Sequence, residues 1–267
     1  MARILLNGGY FFGRSRAAAR LGLLLILGAA GSGATHADEA RWRDTESRVQ
    51  YGYYTADARA LQNVADALAS NDSPDKYRAY YAALVAWRQG LIAAQAPASA
   101  KGSSAAQLLE HCVRELDRVL AEQPEFAEGF ALRAACAVSA ATGGGLHLPF
   151  TGPKPHKDIE RALALAPKNP RVLFVDALAD YLLPPPSGGN KERALPKLRK
   201  AVAAFELERA GPEPLPAWGA AEAYVYLGRD LLDHGDGVGA RDALEHALLL
   251  APEDAQARRL MAKITSG

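Results

Sequence analysis

Between Ala221 and Pro252, apolar and small residues recur at helical intervals in two runs. Tyr224, Leu227, Gly228 and Leu231 share one face of a first predicted helix, and Ala240, Leu244 and Ala247 share one face of a second. Between them His234-Gly235-Asp236-Gly237 predicts a turn, since glycine tolerates positive φ and aspartate can hydrogen-bond the backbone two residues on. Pro252 predicts the stop of the second helix, because it lacks an N–H and fixes φ. Two helices approach closely only where each offers little bulk. Gly228 and Ala240 are therefore expected at the crossing, with the larger residues filling the seam.

The second half of this pattern occurs three times. Residues 115–124, 158–167 and 243–252 each end in Ala/Gln-Pro after a helical run, and the last two agree at six of ten positions, Glu160 with Glu245 and Pro167 with Pro252 among them. Such recurrence means one supersecondary unit used repeatedly. Pro124 to Pro167 is 43 residues and Pro167 to Pro252 is 85. Both exceed whole multiples of a roughly 34-residue helix-turn-helix unit. The excess fits the Gly- and Pro-rich stretches at 142–155, 183–190 and 211–216, with a helix carrying Ala194, Leu198, Ala201, Val202 and Phe205 between the last two. Pro196 requires that helix to start shortly before it. A final helix is expected from about Glu253 to Ile264, with a polarity suited to a solvent-facing cap.

Further upstream, residues 38–100 predict two helices. The first lies within 41–70 and carries Tyr51, Tyr53, Tyr54, Leu61, Val64 and Leu68; the second, capped by Ser73 with Pro74 at its first position, carries Tyr77, Tyr80, Tyr81, Leu84, Trp87 and Leu91. An aromatic stripe at this spacing is the mark of a core face. Residues 95–104 read as a linker. In all, roughly ten helices and no strand are expected.

Large, large, small, large, then small, large, small and proline is the register of the tetratricopeptide repeat (TPR), and the chain resembles that family. The resemblance covers about Ala105 to Ile264 and is tightest at 221–252. It implies an all-α fold, an irregular right-handed TPR-like superhelix of about ten antiparallel helices. The N-terminal pair would be a divergent repeat or a cap. It further implies a concave face lined by positions two, five, nine and twelve of each first helix, which here are Glu222, Val225, Arg229 and Leu232. The members that clamp a C-terminal carboxylate carry Lys and Asn at positions five and nine. Val225 and Arg229 stand there instead, which leaves two readings of these four residues: a mixed apolar and charged groove for a peptide or protein segment, or packing against the terminal cap or the N-terminal helices. The Gly-Gly loop at 188–189 and Trp218-Gly219 before the last pair are also similar to exported bacterial TPR proteins, and faintly to the TPR accessory subunit of TRAP-type solute transporters.

Composition narrows the setting. With 49% hydrophobic and 23% charged residues over 267, the chain carries enough apolar material for a sizeable core. Arg3, Arg14, Arg16 and Arg20 lie in the first 37 residues, where no Asp or Glu occurs; the rest holds 27 basic against 30 acidic residues. So mild a charge argues against a duplex-binding surface. The arginines lead into the apolar run Leu21 to Ala30 and then Ala34-Thr35-His36-Ala37, before Asp38-Glu39. This is the layout of a cleaved secretory signal over 1–37, and about ten apolar residues fall short of the roughly 20 needed to span a bilayer. The Ala, Arg, Gly and Pro richness points to a bacterial chain, and so to the periplasm or the exterior.

Cys112 and Cys136, the only cysteines, lie equally far either side of Pro124, so a hairpin turning there would bring them level. A disulfide and a pair of buried thiols both fit that spacing.

No catalytic constellation emerges. His36, His111, His147, His156, His234 and His246 occur singly, without metal-ligand spacing, so no metal site and no cofactor are expected. His111 and Cys112 point about 100 degrees apart on a helix and do not make a nucleophile pair. Gly188-Gly189-Asn190-Lys191 lacks the earlier glycine and the Ser/Thr of a phosphate loop, although a helix start there could hold an anion. Gly235 to Gly239 joins two helices rather than a strand and a helix, and reads as a turn. Lys197, Arg199 and Lys200 read as a solvated helix face. The expectation is a non-enzymatic, exported scaffold that binds a protein partner on its concave face. The alternative is a solute-binding or transporter-accessory protein with a small ligand in the groove.

Overall fold

The computed structural model describes residues 30–70, 76–96, 104–142, 155–209 and 215–266, with side chains from Asp38 to Thr265. The chain divides into Met1–Ala37 and Asp38–Gly267. Of the first unit only the helical backbone from Ala30 is described, so the expected signal segment lies otherwise outside the described residues. Among those residues there are eleven α-helices and no strand.

They are α1 (Ala30–Tyr54), α2 (Ala58–Ala69), α3 (Lys76–Ala93), α4 (Ala105–Glu122), α5 (Ala127–Thr142), α6 (Pro155–Leu165), α7 (Pro170–Leu182), α8 (Lys191–Arg209), α9 (Ala220–Asp233), α10 (Gly237–Leu250) and α11 (Ala255–Ser266). The three recurrences fall on α4, α6 and α10, each the second helix of a pair that ends just before its proline. From α2 onward each helix packs against the next. In addition α3 touches α5, α5 touches α7, α7 touches α9 and α9 touches α11. Contact from one first helix to the next is what stacks the pairs into a superhelix.

Three of the helix pairs share one device for close approach. A Cβ added at Gly228 would come within 2.9 Å of Leu244 Cγ and 3.2 Å of the Ala240 carbonyl, so α9 and α10 cross where both residues lack bulk. Gly90 meets Leu109 across α3 and α4 at 2.9 Å, and Gly52 meets Leu61 across α1 and α2 at 3.0 Å. Between α9 and α10, Gly235 takes φ +80° and Asp236 caps α10 by accepting from the Gly239 N–H at 2.8 Å.

Two expectations need correction. The stretch 41–70 holds two helices, not one, because Ala56 turns to φ +55° and Asp57 caps a new helix by accepting from the Ala60 N–H at 2.9 Å. Neither Gly nor Pro marks the break, which is why periodicity ran across it. Pro196 lies in the second turn of α8, five residues after its start, and removes one backbone hydrogen bond there. The buried face of Ala194, Leu198, Ala201 and Phe205 holds the helix in place despite that loss. The expected cap at Ser73 and most of the expected loops at 95–104, 142–155 and 211–216 lie outside the described residues.

Cys112 on α4 and Cys136 on α5 form a disulfide, with Cα atoms 6.4 Å apart. Both are fully buried, so the bond staples one helical hairpin from inside.

Candidate functional site

The inner side of the stack is where a repeat of this kind would meet a partner. Most of it is filled. Trp42, Glu46 and Val49 recur on one face of α1 and are buried, with Tyr53 half-buried a turn further on. Trp42 stacks on Tyr81 of α3 at 5.6 Å between ring centroids. Glu46 accepts from the Tyr81 hydroxyl at 2.6 Å and from the Ala217 N–H, just ahead of α9, at 2.8 Å. Burial raises the Glu46 carboxyl above its ordinary value, and the hydrogen bonds from Tyr81, Ala217 and Gln50 oppose that rise.

Two turns further on, Arg88 of α3 forms a buried ion pair with Glu222 of α9, and the Tyr54 hydroxyl donates to the same carboxylate at 2.9 Å. The Arg88 guanidinium lies 4.1 Å from the Tyr53 ring centroid and 4.4 Å from that of Trp87. Trp218 closes the cluster, its indole N–H donating to the Tyr80 hydroxyl at 2.7 Å. A charge removed from water is tolerable only when paired, and here both members are held among aromatic rings.

The expected groove residues therefore separate. Glu222 and Val225 are buried, 3% and 2% exposed, and belong to the interior rather than to an open face. The cause is that α1 and α3 reach across to α9. Arg229 and Leu232 stay partly accessible. The Arg229 guanidinium lies 5.1 Å from the Tyr226 ring centroid and 5.6 Å from that of Tyr181. Asp233 accepts from the Tyr181 hydroxyl at 3.0 Å and from Lys191 at 2.7 Å. Beside this strip, a cavity of about 610 Å³ opens between the ends of α5 and α7 and the start of α8, with Tyr181 and Lys191 in its wall. A second cavity, about 430 Å³, lies where the ends of α1 and α3 meet the start of α11; Tyr53, Tyr54, Ile92, Gln95, Asp254 and Arg259 line it.

The pattern residues of the last pair are placed as packing. Tyr224, Leu227, Gly228, Leu231, Ala240, Leu244 and Ala247 are all buried, and Pro252 sits exposed in the turn after α10. Histidines do not converge: His156 bonds the Ser187 carbonyl, and His246 stacks on Tyr224. Among the described residues no group of three His, Cys, Asp or Glu is arranged to hold a metal. His36 and His147 lie outside the described side chains.

No family model and no curated protein matches the sequence. Solved structures do. TTC0263, a thermophilic TPR protein of Thermus thermophilus, matches with a TM-score of 0.56 at 16% identity, over 86% of this chain and 100% of that one. The fold is that of a TPR-type repeat protein. MamA matches more loosely, with a TM-score of 0.39 at 16% identity over 59% of this chain and 72% of that one. Sequence reasoning missed the buried polar residues: Glu46 and Arg88 fill the inner face, and Arg171 of α7 is buried in an ion pair with Glu208 of α8. A signal was present for two of them. Glu46 sits in register with Trp42 and Val49, and Arg88 adjoins Trp87 four residues after Leu84, so each places a charge on an apolar stripe.

Proposed function

We propose that this protein is a non-enzymatic interaction scaffold of the bacterial cell envelope that holds a protein segment on the strip formed by Tyr181, Tyr226, Arg229 and Leu232. The observation that carries this reading is the partial exposure of Arg229 and Leu232 on an inner face that is mostly filled, beside an open cavity. A guanidinium flanked by aromatic rings and next to an aliphatic side chain suits a partner segment that offers a carboxylate and an apolar residue. Photocrosslinking from position 232 in intact cells tests it. Arg229→Glu is expected to abolish the protein adducts that the wild type forms while leaving the circular dichroism spectrum unchanged. Unaltered adducts would rule the strip out.

The envelope location is supported by the arginine-led apolar run before Asp38 and by the disulfide, a bond that persists in oxidising compartments. The N-terminal residue of the protein recovered from the envelope fraction is expected to be Asp38; a chain that retains Met1 or Ala2 would count against export. The likeness to TRAP accessory subunits rests on the Gly-Gly loop and Trp218-Gly219 alone.

A further inference from the structure

The cavity at the junction of α1, α3 and α11 is built differently from the strip, and its polar groups sort by charge. Asp254 is 4% exposed and caps α11, its Oδ1 accepting from the Gln256 N–H at 2.8 Å and the Ala257 N–H at 2.9 Å. Those two bonds occupy one oxygen and leave Oδ2 for the cavity that Asp254 lines. Arg259 stands on the same helix five residues on, about 7 Å along the axis at 1.5 Å per residue. It is exposed, and its guanidinium donates to Gln95 Oε1 at 3.3 Å. Tyr53, Tyr54 and Ile92 line the same space.

The charges around this space nearly balance. Arg88 and Glu222 satisfy each other behind the tyrosines, so neither is available to a ligand. That leaves one buried carboxylate and one guanidinium in the wall of an aromatic and aliphatic space. Burial and the nearby Glu222 both raise the Asp254 carboxyl, opposed by its backbone hydrogen bonds and by Arg88. A volume of about 430 Å³ falls within the range of small-molecule sites, where a few placed polar groups in a largely apolar wall fix orientation.

We infer that this cavity binds a small linear aminocarboxylate, with its ammonium on Asp254 Oδ2 and the Tyr53 ring, its methylenes against Ile92 and its carboxylate on Arg259. An ammonium held by a carboxylate and an aromatic face is an established mode of recognition, and a guanidinium suits a carboxylate at the other end. The separation of the two protein charges selects a ligand whose own charges are several bonds apart over one that carries both on a single carbon. This site is independent of the Arg229 strip, and each can fail without the other.

Calorimetric titration of the purified protein with 5-aminopentanoate tests the inference, with pentanoate, pentylamine and leucine as comparisons. 5-Aminopentanoate is expected to bind, and each comparison compound to bind about tenfold or more weakly, the loss that one missing charge contact of about 1.4 kcal/mol produces. Arg259→Met is expected to equalise 5-aminopentanoate with pentylamine. Asp254→Asn, which keeps an efficient N-cap, is expected to equalise it with pentanoate. Arg259 is exposed and bonds Gln95 across the cavity rim, so that variant tests the site even if the Asp254 change weakens α11. No heat with any of the four compounds, or equal affinity for all of them, would overturn the inference.

Discussion

Two halves of α9 carry the same kind of residue on the same face and meet opposite fates. In the first half Glu222 and Val225 are sealed, the carboxylate paired with Arg88 of α3 and bonded by Tyr54 of α1. In the second half Arg229 and Leu232 keep part of their surface, with Tyr181 and Tyr226 alongside the guanidinium. Spacing within the repeat is identical for both halves. The difference comes from residues about 130 to 170 positions away in sequence, the separation across which the hydrogen bonds to Glu222 are made. Position in a repeat states which way a side chain points, and only the rest of the chain states what it finds there.

The sealed half is the costlier one to break. Arg88→Met would leave Glu222 buried without its partner, and the loss of a single member of such a pair costs about 3–5 kcal/mol. Urea unfolding of Arg88→Met should show a loss of that size, and the double variant Arg88→Met/Glu222→Gln should recover much of it, because no charge is then stranded. A loss below about 1 kcal/mol in the single variant would mean that the aromatic packing of Trp87 and Trp218 closes this half without the ion pair.

Gly228→Val probes the opposite side of the same helix. A Cβ there approaches Leu244 Cγ to 2.9 Å and the Ala240 carbonyl to 3.2 Å, and a carbonyl cannot rotate aside as a side-chain tip can. Overpacking of this kind costs about 1–3 kcal/mol. The unfolding midpoint should fall accordingly, with the m-value unchanged. An unaltered midpoint would show that α9 and α10 have slack at their crossing, and the shared glycine joint would lose its claim as the determinant of hairpin geometry.

These two sites also mark how far the sequence could be read. Gly228, Ala240 and Leu244 are local, within one hairpin, and helical periodicity finds them because the geometry that brings them together spans few residues. The Glu46 contact with the Ala217 N–H joins residues 171 apart, and no periodic signal encodes a contact between elements so distant. The break at Ala56 was hidden for another reason: an alanine in the left-handed region has no sequence signature, since alanine is the best helix former. The charges at Glu46 and Arg88 were visible as anomalies on apolar stripes, yet their role as a seal required knowing what lay opposite. The aromatic stripe of α3 was readable as core, and Tyr80, Tyr81, Leu84 and Trp87 are indeed buried.

The smallest expected effect sharpens the comparison at the open half, where Asp230 shows that accessibility changes within one turn. Its carboxylate is fully buried, and neither oxygen has a hydrogen-bond partner among the described residues. His234 Nδ1 lies 3.3 Å from Oδ1 but is engaged with the Asp230 carbonyl at 2.8 Å. Burial raises the Asp230 pKa; His234 and Lys191 act against the rise, while Asp233 adds to it. A carboxyl whose folded pKa exceeds its unfolded one binds more protons in the native state. It therefore destabilises the fold as pH climbs from the ordinary carboxylate value, about 4, through the raised one. Asp230→Asn keeps the shape and removes the charge. It should match the wild type in acid and exceed it in stability at neutral pH by about 1 kcal/mol, the lower end of the cost of an unsatisfied buried polar group. Unfolding free energies of both proteins at several pH values decide the matter. A difference that stays flat from about pH 4 to about pH 7 would mean that water reaches the Asp230 carboxylate, and that the open half of α9 extends one residue deeper than its packing shows.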